Sequence, residues 1–305
     1  MNRQRHFLTL LDHTEEELQE LLNMADQLKY EQKNGIAHPH LKGKTLGLIF
    51  GELSTRTRVS FEVGMYQLGG MALFLSARDL QMDRGEPMQD TARVLGGYLD
   101  GMMIRTQEQS AVEVLAEFAG VPVINGMTAF AHPCQVLADL MIIREYKRTF
   151  KGKKLCFIGP GSNVADSLIV GALKVGMEVA VACPDGFEPD ERVLTWAETA
   201  DGFSLTNDPL TAISGADAVY AGQWDAFFQK IPAETRKKVF PNYQVNGILL
   251  RNAKPDAIVL HSLPARRGEE ITAEVFEEHA GEIFAQAENR LHGQKAVLLK
   301  LLGGQ

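Results

Sequence analysis

The chain has 305 residues, of which 45% are hydrophobic and 23% charged, with 31 basic against 39 acidic residues and a formal net charge of −8. That length exceeds what one hydrophobic core usually serves, so two domains are expected. The acidic balance and the lack of a basic run exclude nucleic acid as the main partner, and no stretch is apolar for long enough to span a bilayer. The opening residues, Met1 to Phe7, lack the apolar core of a signal peptide. Cys134, Cys156 and Cys183 are too few and too widely spaced for a disulfide framework or a zinc cluster. A cytoplasmic soluble protein of enzyme size is the expectation.

In chain order, Thr14 with Glu17 has the pattern of a capping box, and Leu18, Leu21, Leu22, Ala25 and Leu28 follow at helical spacing. Strands are expected at 45–50, 72–75, 101–104 and 121–124, with helices at 57–68, 87–98, 111–118 and 134–148. A basic polar connection, Arg148 to Lys154, then precedes a second series of strands at 155–158, 179–182, 218–220 and 258–260. The last helix is expected from about Asn289, with Leu291, Val297, Leu298, Leu301 and Leu302 on one face. Alternating β and α segments of this kind give an α/β class with two doubly wound parallel-sheet domains. There is no internal repeat and no low-complexity segment.

Ser54-Thr55-Arg56-Thr57-Arg58 follows the first strand and opens a helix. Free N–H groups, the positive end of the helix dipole and arginine forks suit a phosphate, although Ser and Thr cap helices anyway. Gly159-Pro160-Gly161-Ser162-Asn163-Val164 is only a partial dinucleotide fingerprint, since Val164 stands where the third glycine belongs. A tight βα turn explains it as well. His132-Pro133-Cys134-Gln135 places a His and a Gln at a loop-to-helix junction, where they could polarise a carbonyl and bind an amide, or simply pack. His261 and Ser262 are adjacent on an extended chain and point to opposite faces, and no Gly-x-Ser-x-Gly elbow occurs, so a hydrolase triad is not indicated.

Taken together, these segments resemble the aspartate/ornithine carbamoyltransferase family, and its ornithine branch most closely. The resemblance runs through Asp90 to Leu95, Ile104-Arg105-Thr106, Pro122 to Gly126, His132 to Gln135, Tyr243 to Asn246, Leu263-Pro264-Ala265 and Ala287 to Leu291. It implies a carbamoyl-phosphate domain over 1–148 with a C-terminal helix, 288–305, packing back on it, and an amine-binding domain over 149–287. It also implies a homotrimer with active sites at subunit interfaces, no cofactor, and a role in arginine biosynthesis. Ser54, Thr55, Arg56 and Thr57 would hold the phosphate. Arg105 and His132 would polarise the carbonyl, Gln135 would hold the carbamoyl amide, and Arg290 would add a cation. Gln81 would reach in from a neighbouring subunit. Leu263-Pro264 would be a cis peptide aiming the Leu263 carbonyl at the carbamoyl nitrogen.

The acceptor half departs from the family pattern. Ornithine enzymes carry an Asp followed four residues later by Ser-Met-Gly, whereas this chain has Gly222, then Ala226-Phe227-Phe228. Asn163 matches an asparagine that contacts the ornithine carboxylate, Asp225 could replace the missing carboxylate if the loop is re-registered, and Ser262 stands in place of the usual Cys. Glu52, just before the phosphate loop, is unfavourable beside a phosphate unless an arginine neutralises it. Whole-chain resemblance makes ornithine the leading acceptor, and the loop at 222–228 argues against it. A different amine, such as putrescine or a modified ornithine, is the alternative, and a non-catalytic homologue that binds carbamoyl phosphate is a third reading.

Overall fold

A computed structural model describes residues 6–52, 54–76, 85–226 and 230–304. The chain divides into two compact units, one formed by residues up to Cys134 together with those from Arg290 onward, the other by Gln135 to Asn289. The division falls ahead of the basic connection at 148–154, so the helix before that connection lies almost wholly in the second unit.

The first unit starts with α1 (Glu15–Lys33), whose capping box is formed: Thr14 Oγ1 accepts from Glu17 N–H at 3.3 Å and Glu17 Oε2 accepts from Thr14 N–H at 3.2 Å. There follow β1 (Thr45–Phe50), α2 (Thr55–Gln67), β2 (Met71–Ser76), α3 (Met88–Gly96), β3 (Gly101–Arg105), α4 (Gln109–Phe118) and β4 (Val123–Met127). Among the described residues these strands form a parallel sheet in the order β2-β1-β3-β4. The central strands β1 and β3 are nearly continuous apolar runs, as a parallel sheet covered on both faces requires. The fourth strand begins two residues later than its apolar run suggests and extends through Met127.

α5 (Pro133–Lys147) leads into the second unit, which continues β5 (Lys154–Ile158), α6 (Asn163–Lys174), β6 (Glu178–Ala182), α7 (Glu191–Ala197), β7 (Phe203–Thr206) and α8 (Pro209–Ile213). It is completed by β8 (Ala218–Ala221), α9 (Ala233–Val239), α10 (Gly247–Leu250), β9 (Ile258–Leu260) and α11 (Ala273–Glu278). Its described strands form a second parallel sheet in the order β7-β6-β5-β8-β9. Its core gathers Ile158, Val219, Trp224, Phe240, Val259 and Phe276.

α12 (Ala280–Leu302) begins nine residues earlier than the apolar periodicity suggests. From Arg290 onward it packs back on the first unit. Gly64 of α2 sits against it, where an added Cβ would lie 3.3 Å from Lys295 Cγ, and Leu302 fills the space beside Gly101. Lys295 is fully buried there, its Nζ donating to Gln67 Oε1 at 2.9 Å and facing His38 Nε2 at 3.2 Å. Among the described residues no helix is long and apolar enough to cross a membrane.

Candidate active site

The C-terminal ends of β1 and β3 lie side by side, with Phe50 in register with Arg105. Ligands of open parallel sheets collect at such ends. Beyond β1, Ser54 caps α2, its Oγ accepting from Thr57 N–H at 3.3 Å. Thr55 and Arg56 lie exposed in the first turn, and Thr57 is fully buried. The Thr57 hydroxyl accepts from Arg290 Nη2 at 2.9 Å and from Arg105 Nη1 at 3.4 Å. Both arginines are almost wholly buried.

Such crowding has an electrostatic signature. The Arg105 guanidinium is pulled down to about 10, first by burial and then by the charges of Arg290 and Arg56, with Glu52 opposing. Glu52 therefore acts on this cluster as a partial counter-charge. His132 is 5% exposed and titrates well below its ordinary range, first through burial and then through Arg290, Arg105 and Arg56. Its imidazole is neutral near pH 7 and can donate a hydrogen bond without adding charge. Burial pushes the Cys134 thiol up to about 12, so it is no nucleophile. Arg58 has partners of its own: its Nε donates to Glu62 Oε1 at 2.9 Å and its guanidinium covers the Phe74 ring at 3.8 Å. Gln81 lies outside the described residues.

The second unit holds the other named residues. Gln135 is buried, and its Nε2 donates to Asp139 Oδ1 at 2.8 Å. Asn163 is the first residue of α6, after the cap Ser162, whose Oγ accepts from Ala165 N–H at 3.3 Å. The glycine loop before it is a packing device. A Cβ at Gly161 would lie 2.2 Å from Glu188 O, and Gly159, at φ +143, lies against Gly222. Asp225 is paired within its own unit, with Arg266 Nη2 at 2.5 Å and Arg236 Nη1 at 3.8 Å. Ser262 and Leu263 follow β9, and Leu263-Pro264 is a cis peptide with Leu263 at φ +55. Gln223 Nε2 donates to Pro264 O at 2.7 Å and ties the 222–226 loop to that turn. Gly222 has no room for a side chain: a Cβ would lie 2.4 Å from Phe157 Cζ. Phe227 and Phe228 lie outside the described residues.

Asp139, Gln286 and Glu270, all 0–1% exposed, were not anticipated as part of any site, and His261, equally buried, was weighed only as half of a hydrolase pair. The available signal was an acidic residue one helical turn after Gln135 on an otherwise apolar face.

Two parallel α/β units, the first carrying clustered guanidiniums and a neutral imidazole at its strand ends, define a protein suited to a small oxyanion with a carbonyl. A family model described as aspartate/ornithine carbamoyltransferase, carbamoyl-P binding domain, matches residues 5–145, and its Asp/Orn binding domain counterpart matches residues 151–301. The chain belongs to the aspartate/ornithine carbamoyltransferase family. The ornithine carbamoyltransferase of Carboxydothermus hydrogenoformans is 54% identical over 99% of this chain and 98% of its own. That of Pyrococcus abyssi is 50% identical over 98% and 96%. Among solved structures, ornithine carbamoyltransferase from Pyrococcus furiosus superposes with a TM-score of 0.94 at 49% identity, covering 99% of this chain and 98% of that one. The enzyme from Thermus thermophilus gives 0.89 at 39% identity, covering 99% of each.

Proposed function

We propose that this protein transfers the carbamoyl group of carbamoyl phosphate to ornithine, giving citrulline and phosphate. The observation that carries the donor assignment is the Thr57 hydroxyl held between Arg105 and Arg290, next to the N-terminus of α2. Ser54, Thr55, Arg56 and Thr57 bind the phosphate through side chains and the first-turn N–H groups. Arg105 and His132 donate to the carbonyl oxygen, Arg290 adds positive charge, and the Gln135 Oε1 and the Leu263 carbonyl accept from the carbamoyl N–H groups. The neutral δ-amine attacks the carbonyl carbon and forms a C–N bond while the carbonyl electron pair moves onto oxygen. Collapse of this tetrahedral oxyanion breaks the C–O bond to phosphate, and the amine proton leaves with the phosphate. Fixed donors facing the developing oxyanion supply the largest share of the acceleration, and holding the two reactants together supplies most of the remainder.

Asn163 and Ser262 are offered to the acceptor, with Asp225 committed to Arg266. A second reading, transfer to another amine, draws support from Gly222, whose side-chain space is filled by Phe157. Exposed Met71, Leu73 and Phe74 on the edge strand β2 support self-association, which we take to be a trimer. The buried free thiols Cys134, Cys156 and Cys183 fit a cytoplasmic setting.

The test is release of phosphate and formation of ureido product with ornithine, putrescine and N-acylated ornithines. Citrulline formed fastest supports the main reading, and product with another amine alone selects the second. No product with any amine, while carbamoyl phosphate still raises Tm, leaves a non-catalytic binder and sinks both.

A further inference from the structure

The amide of Gln135 is fixed in one direction by a residue to which nothing so far assigns a role. Asp139 lies one turn further along α5 and is fully buried. Its Oδ1 accepts from Gln135 Nε2 at 2.8 Å and from Gln286 Nε2 at 2.6 Å. An oxygen that only accepts makes each amide turn its NH2 end inward. For Gln135 the consequence is chemical: Oε1 is left buried with no hydrogen-bond partner among the described residues. A buried acceptor of this kind calls for an N–H donor, and the carbamoyl NH2 is one.

Beyond Asp139 the chain of hydrogen bonds continues in one sense. Gln286 Oε1 accepts from His261 N–H at 2.9 Å. His261 Nδ1 accepts from Leu263 N–H at 2.8 Å, so its ring proton is on Nε2, facing Glu270 Oε1 at 3.1 Å. Glu270 Oε1 also accepts from Arg266 N–H at 2.7 Å. One buried relay thus orients both the Gln135 amide and the Leu263 backbone, the two groups assigned above to the carbamoyl nitrogen.

We propose that Asp139 is the positioning residue for recognition of the carbamoyl NH2, setting the Gln135 amide to accept and, through Gln286 and His261, bracing the Leu263 turn. The proposal rests on the carbamoyl-transfer reading. It differs from a role in which Asp139 only fills the core, because that role would be indifferent to what stands at position 135.

Two mutant cycles on the full-length enzyme test it, reading kcat/KM for carbamoyl phosphate. Asp139→Ala should lower it about 10- to 100-fold in the wild type, the range for a buried polar group left unpaired, but by several-fold less in a Gln135→Ala background, where only the branch through Gln286 to the Leu263 turn remains to be lost. In the second cycle, Gln135→Glu sets a carboxylate against Asp139 and should lose activity as pH rises. Adding Asp139→Asn removes one of the two facing carboxylate charges and should restore about tenfold or more near pH 7.5. This second cycle decides the matter if Asp139→Ala does not fold. Equal factors in both backgrounds of the cycle measured would overturn the proposal. An active wild type whose Gln135→Ala variant has normal kinetics would overturn it too. A wild type that forms no ureido product sinks the carbamoyl-transfer reading instead.

Discussion

A threonine hydroxyl has two acceptor lone pairs and one proton, and Thr57 uses both acceptors on guanidiniums. Its proton is left to donate, and in the proposed site a phosphate oxygen would accept it. Like charges held this close cost folding energy, so the cluster favours binding over stability. Arg290→Ala should therefore lower kcat/KM for carbamoyl phosphate by about 10²-fold or more. The same substitution should leave Tm unchanged or slightly raised, because it also relieves Arg105. A large fall in Tm with near-normal kinetics would place Arg290 in the fold and not in the site. Another buried charge gives a pH prediction. Asp166 is 5% exposed, and burial pushes its carboxyl up to about 7. An acid with a raised folded pKa holds its proton more tightly when folded, so stability falls as pH rises from about 4 to 7. Asp166→Asn keeps an oxygen for the Asp190 N–H, now 2.9 Å from Asp166 Oδ1. It should stabilise by about 1–3 kcal/mol at pH 8 and be close to neutral at pH 5, read from urea midpoints at the two pH values. A gain of the same size at both would show that ionisation is not its origin.

At the scale of elements, the placement of much of the proposed donor half was legible because each of its groups sits at a strand end or a helix start with a strong local pattern. Ser54 as a cap, Arg105 at the end of an apolar strand and His132 before a helix all follow from order along the chain. The separation of Arg56 from Arg58 was also readable, since Glu62 stands four residues after Arg58 and can claim it. What escaped was set by tertiary context. β7 is a four-residue edge strand, Phe203–Thr206, with half-buried ends and an exposed middle, so neither alternation nor an apolar run announced it. The early start of α12 was hidden because Gln286, inside it, is buried for its hydrogen bonds and not for apolar surface. The acceptor loop gave the opposite difficulty, as its departures were plain while their cause lay in β5. Phe157 stacks on Tyr220 at 5.7 Å between ring centroids and occupies the space a side chain at 222 would need. Gly222→Asp should thus destabilise by about 1–3 kcal/mol through overpacking and leave KM for ornithine no lower. A lower KM at unchanged stability would mean that the loop can re-register around the new carboxylate.

Across the whole molecule, α12 is the element that belongs to both units, giving Gln286 to one and Arg290 to the other. Its apolar residues beyond Arg290 are what hold it to the first unit, with Ala296, Val297 and Leu298 all buried. Leu298→Ala should cost about 2–5 kcal/mol in urea unfolding. It should also weaken carbamoyl phosphate binding, because Arg290 is carried on the same helix. Loss of stability with binding intact would show that Arg290 is held by its own contacts alone.

The bond between Thr57 and Arg290 joins residues 233 positions apart in the chain. A contact of that span is among the slowest to form, since the intervening chain must be ordered before it can close. Phosphate affinity should accordingly appear with the last phase of refolding, later than the secondary structure of either sheet. The donor half would then act as a record of completed folding, engaging its anion only in chains that have finished it.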